Sequence, residues 1–438
     1  MRQSDATAAP PAPSPPSREQ DVARRYKMHL SRGRGKLGEM FGGHVEVASY
    51  GAMVRTADGR EFLNCGGYGV FLAGACHPRV VAAVERQLRT HPLATRLLLE
   101  PKAADAAAAL TGVAPAGLER VHFTGSGAEA VETALKLARA HGHRRIVSTA
   151  GGFHGKTLGA LSATGQPLYR DAFLPLLPDT AHVPYGDAAA LREALRPDGS
   201  DAAVIVEPVQ SEGGVLLPPD GYLKEVSAVC AKSGAFFVLD EVMTGLGRLG
   251  HWWGADREAV VPDVLLVGKA LSGGVVPVAA AVATARAFAP FDRDPFLHTS
   301  TFSAAPLAMA AAEAAIAVVH DEHLVDRSAR LGDALLGTLR ELTAQHCPHL
   351  VRQVRGRGLL LGVEFQDPGL AGEFLLELLA HDVIANHSLN AHAVVRLTPP
   401  AVLTGSETAR LTEALDSSLL ALAARFPGPY PAAGAERN

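Results

Sequence analysis

The sequence predicts an α/β fold with a large, doubly wound and mostly parallel sheet. Two observations between residues 120 and 320 support this prediction. Short apolar runs, which are typical of buried parallel strands, alternate with Ala- and Leu-rich stretches, which are typical of helices. Polar residues follow three of the apolar runs, at the points where open α/β sheets bind ligands.

Four apolar runs are the predicted strands of this sheet, namely 145–148, 203–206, 236–239 and 264–267. Helical stretches at 128–141 and 305–319 lie between or after them. Because strands that alternate with helices pair in parallel, we expect their carboxyl ends to meet at one edge of the sheet.

Glu207, Asp240 and, after one glycine, Lys269 follow three of these strands. Strands commonly end at polar loop residues, so one such residue alone means little. Two carboxylates and an amine have complementary chemistry, however, and all three can converge on one ligand at the sheet edge.

A second, smaller α+β domain is predicted from both ends of the chain. Residues 45–75 read as a hairpin with its turn at Asp58 and Gly59. After residue 326, an amphipathic helix precedes the strand-like segments RGLLLGVEF and VVRLTPP. The predicted divisions are a disordered Pro-rich tail (1–20), the N-terminal part of the small domain (21–75), the large domain (76–325), the C-terminal small domain (326–425) and a loose tail (426–438).

The composition argues against several classes of protein. Hydrophobic residues make up 47% of the 438 and charged residues 20%, which is ordinary for a globular protein. No apolar run reaches the roughly 18 residues needed to span a membrane. The net charge of −4, with scattered basic residues, argues against a nucleic-acid partner. The four cysteines form no CxxC pair, so no metal site or disulfide framework is indicated and a cytoplasmic location is expected.

Lys269 is an unusual lysine in this sequence. Only eight of the 41 basic residues are lysines, and this one lies in the apolar segment VLLVGKALSGGVVP. Most lysines are solvated surface residues, but apolar residues on both sides disfavour an unpaired ammonium. Burial lowers the pKa of a lysine, and the neutral amine can attack a carbonyl to form a Schiff base.

Two further features complete a site. Asp240 ends the fully apolar run FFVL, and a buried carboxylate needs a cationic partner such as a pyridinium nitrogen. The Gly-rich segment FTGSGAEA (123–130) runs directly into a helix, whose free N–H groups can bind phosphate. An ordinary strand-to-helix turn is the alternative for that segment. Together the phosphate loop, amine and carboxylate describe a site for pyridoxal 5′-phosphate (PLP).

From about residue 25 to 425, the sequence resembles the class III aminotransferases of PLP fold type I. The motifs that carry the resemblance are SGAEA, FHGKT, EPVQSEGG, DEVMTGLGR, GKALSGG and HTSTF. The segments FHGKTLGALSAT, LPPDGYL and DPFLHTSTF are most similar to bacterial putrescine aminotransferases. The resemblance implies the fold type I architecture and PLP as cofactor.

The resemblance also implies which residues contact PLP. They are Ser126, Gly127, Ala128, Phe153, Asp240, Val242, Met243, Lys269, Ser300 and Thr301. The first three would cup the phosphate, and Phe153 and Val242 would pack on opposite faces of the ring. Asp240 would pair with the pyridinium, and Lys269 would carry the Schiff base. His154 is assigned no role in proton transfer.

Other matched residues concern the partner subunit and the substrate. Ser300 and Thr301 would reach the cofactor phosphate of the neighbouring subunit, which implies a homodimer with shared active sites. Arg396 matches an arginine that grips an α-carboxylate bidentately. Glu212 matches a glutamate that covers this arginine when the bound amine has no carboxylate. Lys156 stands where acetylornithine-type members have an arginine for a substrate carboxylate.

The sequence departs from the family pattern at two further places. Met243 replaces a glutamine that lies near the phenolic oxygen of the cofactor, and a thioether cannot donate that hydrogen bond. Aminomutases of the same class also carry methionine there. The segment SAAP (303–306) replaces the usual GGNP beside the dimer interface.

The expected function is a ping-pong transfer of an amino group between a terminal amine and a 2-oxoacid such as 2-oxoglutarate or pyruvate. The amine would be a putrescine-like diamine, an ω-amino compound or, in reverse, the corresponding aldehyde. An intramolecular aminomutase of the glutamate-1-semialdehyde type and an acetylornithine/ornithine-type aminotransferase are the alternatives. A non-catalytic cofactor-binding protein is the alternative from another class, and the presence of both Lys269 and Asp240 argues against it.

Overall fold

The computed structural model describes residues 18–428. The predicted tails at 1–20 and 426–438 lie mostly outside these residues, and a helix begins at Arg18. The chain forms two compact units. Of the described residues, the smaller unit contains 18–49 and 54–61, and the larger contains 50–53 and 62–428. The domain boundaries predicted after residues 75 and 325 stay predictions.

Helices occur along the whole described chain. Their bounds are α1 Arg18–Arg25, α2 Arg32–Met40, α3 Pro78–Thr90, α4 Pro101–Val113, α5 Gly127–Ala140, α6 Leu158–Ala163, α7 Pro167–Arg170, α8 Ala188–Ala194, α9 Tyr222–Ser233, α10 Ala285–Arg293, α11 Pro306–Asp321, α12 Leu324–His346, α13 Pro368–Ala380 and α14 Gly405–Arg425. Helices α5 and α11 confirm the predicted stretches 128–141 and 305–319 to within two residues.

The strands are concentrated in the larger unit. Their bounds are β1 Glu46–Tyr50, β2 Met53–Thr56, β3 Glu61–Asn64, β4 Leu118–Thr124, β5 Arg145–Thr149, β6 Thr180–Val183, β7 Ala202–Val206, β8 Phe236–Asp240, β9 Val264–Val267, β10 Ala279–Thr284, β11 Val351–Arg357, β12 Leu360–Phe365, β13 Val383–Ile384, β14 Asn386–Ser388 and β15 Ala391–Leu397. Strands β5, β7, β8 and β9 confirm the four predicted runs.

The large sheet has seven strands in the order β4-β10-β9-β8-β7-β5-β6. The strands from β9 to β6 pair in parallel, and β10 is antiparallel to both of its neighbours. Every residue of β7, β8 and β9 is buried, as expected when helices cover both faces of a parallel sheet. The structure confirms the predicted doubly wound α/β class.

The alternation of side chains along the strands decides which residues pack on α5. Ile205, Val238 and Leu266 belong to one apolar cluster with α5 residues such as Val131 and Leu135. Neighbouring residues along each strand point to the other face. Asp240 follows Val238 by two positions, so its side chain continues on the α5 side, at the carboxyl end of β8.

A second sheet in the larger unit has the order β11-β12-β15-β14 and is antiparallel throughout. Helices α12 and α13 pack against it, and α14 packs against these two helices. Arg396, on β15, lies opposite Gly362 on β12 and Asn386 on β14. Elsewhere in the unit β3 and β13 pair in parallel, with Leu63 opposite Val383.

The smaller unit contains α1 and α2, joined by a π-helix at Tyr26–Leu30. Ser31 caps α2 by accepting a hydrogen bond from the Arg34 N–H at 3.3 Å. The turn predicted at Asp58 and Gly59 lies here. The Gly59 N–H donates to the Thr56 carbonyl at 2.9 Å, and Gly59 has a φ of +87°, which glycine adopts without strain.

No helix within residues 18–428 is both long and apolar enough to cross a membrane. In the same residues, no group of three or more His, Cys, Asp or Glu side chains could hold a metal ion.

Candidate active site

A cavity of about 320 Å³ lies at the carboxyl ends of β7, β8 and β9. The residues that line it are Gly127, Ala128, Phe153, His154, Gly155, Lys156, Glu207, Ser211, Glu212, Asp240, Val242, Met243 and Lys269. A second cavity, of about 290 Å³, adjoins it because Gly127 and Lys269 line both. Glu207, Asp240 and Lys269 therefore face one space.

The start of α5 forms one end of this space. Ser126 and Gly127 line the second cavity, and Ser126 caps the helix by accepting from the Glu129 N–H at 3.3 Å. Within the described chain, the N–H groups of Gly127 and Ala128 have no hydrogen-bond partner. A Cβ at Gly127 would come within 2.9 Å of the Val242 side chain, so glycine permits the close approach. Two free N–H groups and a positive helix end favour an anion here.

Asp240 is buried and held on both carboxylate oxygens. Its Oδ2 lies 2.7 Å from Nδ1 of His154, and its Oδ1 accepts from the Val242 N–H at 3.1 Å. The other ring nitrogen of His154 lies 3.2 Å from Oγ of Ser148. Because each carboxylate oxygen has a hydrogen-bond partner, the side chain of Asp240 is held in one orientation at the cavity wall.

Glu207 is a second buried carboxyl beside Asp240. It accepts a hydrogen bond from the Phe153 N–H at 3.2 Å, which ties the loop after β5 to the end of β7. Burial, and next the charge of Asp240, raise the pKa of Glu207 well above its ordinary value. Two adjacent carboxyls do not ionise independently, so the charge of Asp240 disfavours the ionised form of Glu207.

Lys269 begins a short 3₁₀ turn that ends at Ser272. Its φ is +45°, a left-handed conformation that is unfavourable for a residue with a side chain. Burial lowers the pKa of Lys269, and Glu212 and Asp240 oppose this shift. A lowered pKa is what an amine needs if it is to attack a carbonyl or move a proton.

Arg396 and Glu212 form a buried ion pair in the larger unit. Nη1 of Arg396 lies 2.7 Å from Oε1 of Glu212 and donates to Oγ of Ser211 at 2.9 Å. The other oxygen of Glu212 accepts from the Leu389 N–H at 2.8 Å. Nε and Nη2 of Arg396 are buried and have no partner in the described chain. Such unsatisfied buried donors are rare, and these two nitrogens remain able to donate to a further acceptor.

Lys156 and Tyr169 form a separate feature of the cavity. Lys156 lines the cavity but is exposed, and Nζ lies 4.3 Å from the centre of the Tyr169 ring. The Tyr169 hydroxyl donates to the Leu389 carbonyl at 2.7 Å. The aromatic face holds the ammonium without neutralising it.

Met243 packs against a loop glycine. A Cβ at Gly69 would come within 2.5 Å of Sδ of Met243, and Gly69 has a φ of +76°. The Gly69 carbonyl accepts from the buried Arg248 guanidinium at 3.1 Å. Met243 therefore fills the space beside Lys269 by close packing against backbone.

Ser300 and Thr301 do not line either cavity. Both are exposed, on the loop between α10 and α11. The departure at 303–306 lies in the same loop, where Ala304 has a φ of +54°, a conformation that favours glycine.

Comparison with known proteins identifies the family. The model of the family described as aminotransferase class-III matches residues 43–419. This chain belongs to the class III aminotransferases. It is 31% identical to the ornithine aminotransferase of Toxoplasma gondii, with 94% of this chain and 96% of that chain covered and a TM-score of 0.86.

Two transaminases are also similar. A thermostable (S)-enantioselective omega-transaminase from Thermomicrobium roseum is 28% identical, with 93% of this chain and 100% of that chain covered and a TM-score of 0.84. A transaminase from the marine bacterium Virgibacillus is 25% identical over 93% of this chain and 100% of that chain, with a TM-score of 0.85.

The cofactor of this class III aminotransferase is PLP, and the residues of the site fit it. The free N–H groups at the start of α5 suit its phosphate. Asp240 is a buried carboxylate that needs a cation, and the pyridinium nitrogen supplies one. Lys269 is an amine of lowered pKa at the edge of the same cavity.

Sequence reasoning missed the contact of His154 with Asp240. The histidine lies directly after Phe153 in a glycine-rich loop, and that position was the available signal. It also missed Ser211 as a partner of Arg396 and Tyr169 as a partner of Lys156. No local pattern marks these two residues, because each meets its partner only through the fold.

Proposed function

We propose that this aminotransferase moves an amino group from a terminal amine, an ω-amino compound or a putrescine-like diamine, to a 2-oxoacid such as 2-oxoglutarate or pyruvate. The observation that carries the proposal is the buried pair of Arg396 and Glu212. Glu212 lines the cavity, whereas Arg396 does not and is reached only through its ion pair with Glu212. Displacement of Glu212 would therefore give the site two states, one for each half of a ping-pong reaction.

In the donor half, Glu212 neutralises Arg396. The charge of Arg396 is then balanced, and Glu212 rather than Arg396 lines the cavity, so an α-carboxylate gains little by entering. A terminal amine, which carries no carboxylate next to its reacting carbon, fits this state without leaving a buried charge unpaired.

In the acceptor half, the carboxylate of a 2-oxoacid replaces Glu212. Nε and Nη2 of Arg396 are already without partners and already buried, so they can donate to the incoming carboxylate as a bidentate pair. Glu212 keeps its bond to the Leu389 N–H, which can hold the displaced side chain.

When bound, PLP supplies an aldehyde that takes up the amino group and a protonated ring that accepts electrons. We assign Lys269 the proton transfer at the substrate carbon, because its amine lies in the cavity with a lowered pKa. Asp240 keeps the ring nitrogen protonated, and His154 holds Asp240 in position. Phe153 and Val242 line the cavity and are assigned to the two faces of the ring, and Met243 packs beside Lys269.

The ornithine-type alternative is favoured by one observation. The Lys156 ammonium lies over the Tyr169 ring, and none of the ion pairs within residues 18–428 involves it. It would attract a carboxylate at the far end of a terminal amine and repel the second ammonium of a diamine. Ornithine is such a terminal amine, because its α-carboxylate lies at the far end of the molecule from the reacting amine.

We also propose that the chain acts as a homodimer with shared sites, in which Ser300 and Thr301 reach the phosphate of the neighbouring cofactor. Exposed apolar side chains near them support this: Phe302 is 67% exposed and Phe296 82% exposed. Monomeric proteins rarely expose large apolar groups together, so we expect the neighbouring subunit to cover this loop. Light scattering on the purified protein measures the mass.

A panel of donors tests the function. Purified PLP-loaded protein is assayed with putrescine, ornithine and 4-aminobutyrate, each with 2-oxoglutarate and with pyruvate, and with glutamate and pyruvate. Products are identified by mass spectrometry. We expect terminal amines to be the preferred donors. Activity confined to glutamate, whose only amine is the α-amine, would overturn the proposal. Conversion of a donor without any 2-oxoacid would establish an aminomutase instead.

The Lys156→Gln variant separates the two classes of terminal amine. If Lys156 binds a far carboxylate, this variant raises KM for ornithine and leaves or lowers KM for putrescine. Lys224→Gln, which removes an exposed lysine on α9, is the matched control.

A further inference from the structure

The loop that carries Ser300 and Thr301 is fixed at both ends although its middle is exposed. Residues 299–302 are exposed, whereas His298 and Ser303, which flank them, are partly buried. Ser303 donates from Oγ to the Phe123 carbonyl, at the end of β4, over 2.5 Å. The other attachment is made by His298. The exposed residues are therefore a short segment held between two fixed points.

His298 makes three kinds of contact with the body of the larger unit. Its Nδ1 lies 2.9 Å from Nζ of Lys136, and its Nε2 lies 3.1 Å from Oγ1 of Thr133. The ring stacks on His122 of β4, with centres 4.8 Å apart and planes at 28°. Lys136 also donates to the carbonyl of Leu297, next to His298.

The donors and acceptors in this cluster allow one consistent arrangement. An ammonium can only donate, so Nδ1 of His298 must accept from Lys136. Nε2 then carries the proton and donates to the Thr133 hydroxyl, which in turn donates to the Glu129 carbonyl at 2.9 Å. His298 is thereby held as a neutral ring in a single tautomer, and both nitrogens are satisfied.

Thr133 and Lys136 belong to α5, the helix whose first residues line the phosphate end of the site in the same chain. The same helix therefore carries a phosphate cup at its start and an attachment for the exposed loop on its side. Loss of the contacts between His298 and α5 would therefore change where the loop lies relative to α5.

We propose that His298 is a positioning residue: by binding Thr133 and Lys136 it holds residues 299–302 on α5, so that Ser300 and Thr301 are presented to the cofactor phosphate of a second copy of the chain. This inference rests on the proposed homodimer with shared sites. Without the His298 side chain, the segment keeps its Ser303 attachment and, at the other end, only the bond from Lys136 to the Leu297 carbonyl. It is then less ordered before it binds the phosphate, and ordering it costs binding free energy.

The first test is retention of PLP. We expect His298→Ala to retain PLP about tenfold less well after desalting, as measured by cofactor absorbance, with a Tm close to that of the wild type. His298→Gln keeps an acceptor and a donor and should recover part of the loss. His320→Ala is the matched control, because that histidine is exposed and its Nδ1 lies beside the carboxylate of Asp321. Unchanged retention in His298→Ala would overturn the proposal.

The second test uses mixed dimers in which one chain carries Lys269→Ala, so that only the other chain's site turns over. That working site takes its loop from the Lys269→Ala chain. We expect His298→Ala to raise the PLP concentration for half-maximal turnover about tenfold when it is on the Lys269→Ala chain. On the other chain it should have little effect. The reverse result would assign His298 a role within its own subunit and overturn the proposal.

Light scattering on each sample separates two kinds of failure. A monomeric wild type would contradict the homodimer itself. A dimer in which both placements of His298→Ala behave alike would contradict only the role of His298.

Discussion

Nδ1 of His154 lies 2.7 Å from Oδ2 of Asp240, and both side chains are buried. Asp240 is the carboxylate assigned to the cofactor ring, so this contact links the ring to a second buried group. A hydrogen bond to a charged group contributes about 1.5–3 kcal/mol. We therefore expect His154 to act on the cofactor through Asp240, a positioning role distinct from proton transfer, in which the sequence assigned it no role.

Replacing His154 by Phe should lower the rate of the donor half-reaction about 10- to 100-fold, because Asp240 loses a charge-assisted hydrogen bond. Stopped-flow absorbance of the cofactor measures this rate. Ser148→Ala, which removes only the contact on the far nitrogen of His154, should have a smaller effect. A wild-type rate in His154→Phe would remove the positioning role.

Lys269→Ala should lose activity by about a thousandfold or more, because both covalent attachment and proton transfer depend on one amine. Borohydride reduction followed by mass spectrometry should find cofactor attached to the wild type and none on the variant. Lys269→Arg should also fail, since a guanidinium keeps its proton. Lys224→Ala serves as the control, and an active Lys269→Ala enzyme would contradict the assignment.

Glu212→Gln should shift donor preference toward α-amino acids. A neutral amide no longer neutralises Arg396, so the buried guanidinium attracts an α-carboxylate in both half-reactions. We expect the ratio of kcat/KM for glutamate to that for a terminal amine to rise about tenfold or more. An unchanged ratio in this variant would mean that the pair does not control donor choice.

Arg396→Lys should mainly damage the acceptor half. Lysine keeps the charge but offers no planar pair of donors. We expect KM for 2-oxoglutarate to rise at least about tenfold while the rate of the donor half-reaction changes little. Equal losses in both half-reactions would point to a structural defect.

His122 makes stability depend on pH. Burial, together with His298, Arg96 and Lys136, lowers the pKa of His122 from 6.5 to about 4. The unfolded chain therefore binds a proton before the folded chain does, and stability falls as the pH drops from about 6.5 towards 4. One pKa unit corresponds to about 1.4 kcal/mol, so the loss due to this group is at most about 3.5 kcal/mol.

Denaturant unfolding at several pH values in this range measures the effect. His122→Phe keeps a ring to pack against His298 but cannot be protonated, so its stability should fall less steeply with decreasing pH. His320→Phe, at an exposed position, should keep the wild-type slope. Identical slopes in wild type and His122→Phe would show that other groups carry the pH dependence.

Much of the large sheet could be predicted from local pattern. The runs that became β5, β7, β8 and β9 are short and fully apolar, and each is separated from the next by enough chain for a crossover. Because parallel strands end at the same edge, the polar residues after them were expected to converge. The structure brings Glu207, Asp240 and Lys269 to one cavity.

The sequence by itself determined the fold class, the family and the main chemical groups of the site, because these depend on hydrophobic periodicity and on short motifs. Only the tertiary structure decided how those groups are held. His154 meets Asp240 across 86 residues, and Arg396 meets Ser211 across 185. Such contacts leave no periodic trace in the chain, since they depend on which strand ends and loops the packed core brings together. The unpaired nitrogens of Arg396 and the attachment of His298 to α5 likewise depend on tertiary packing.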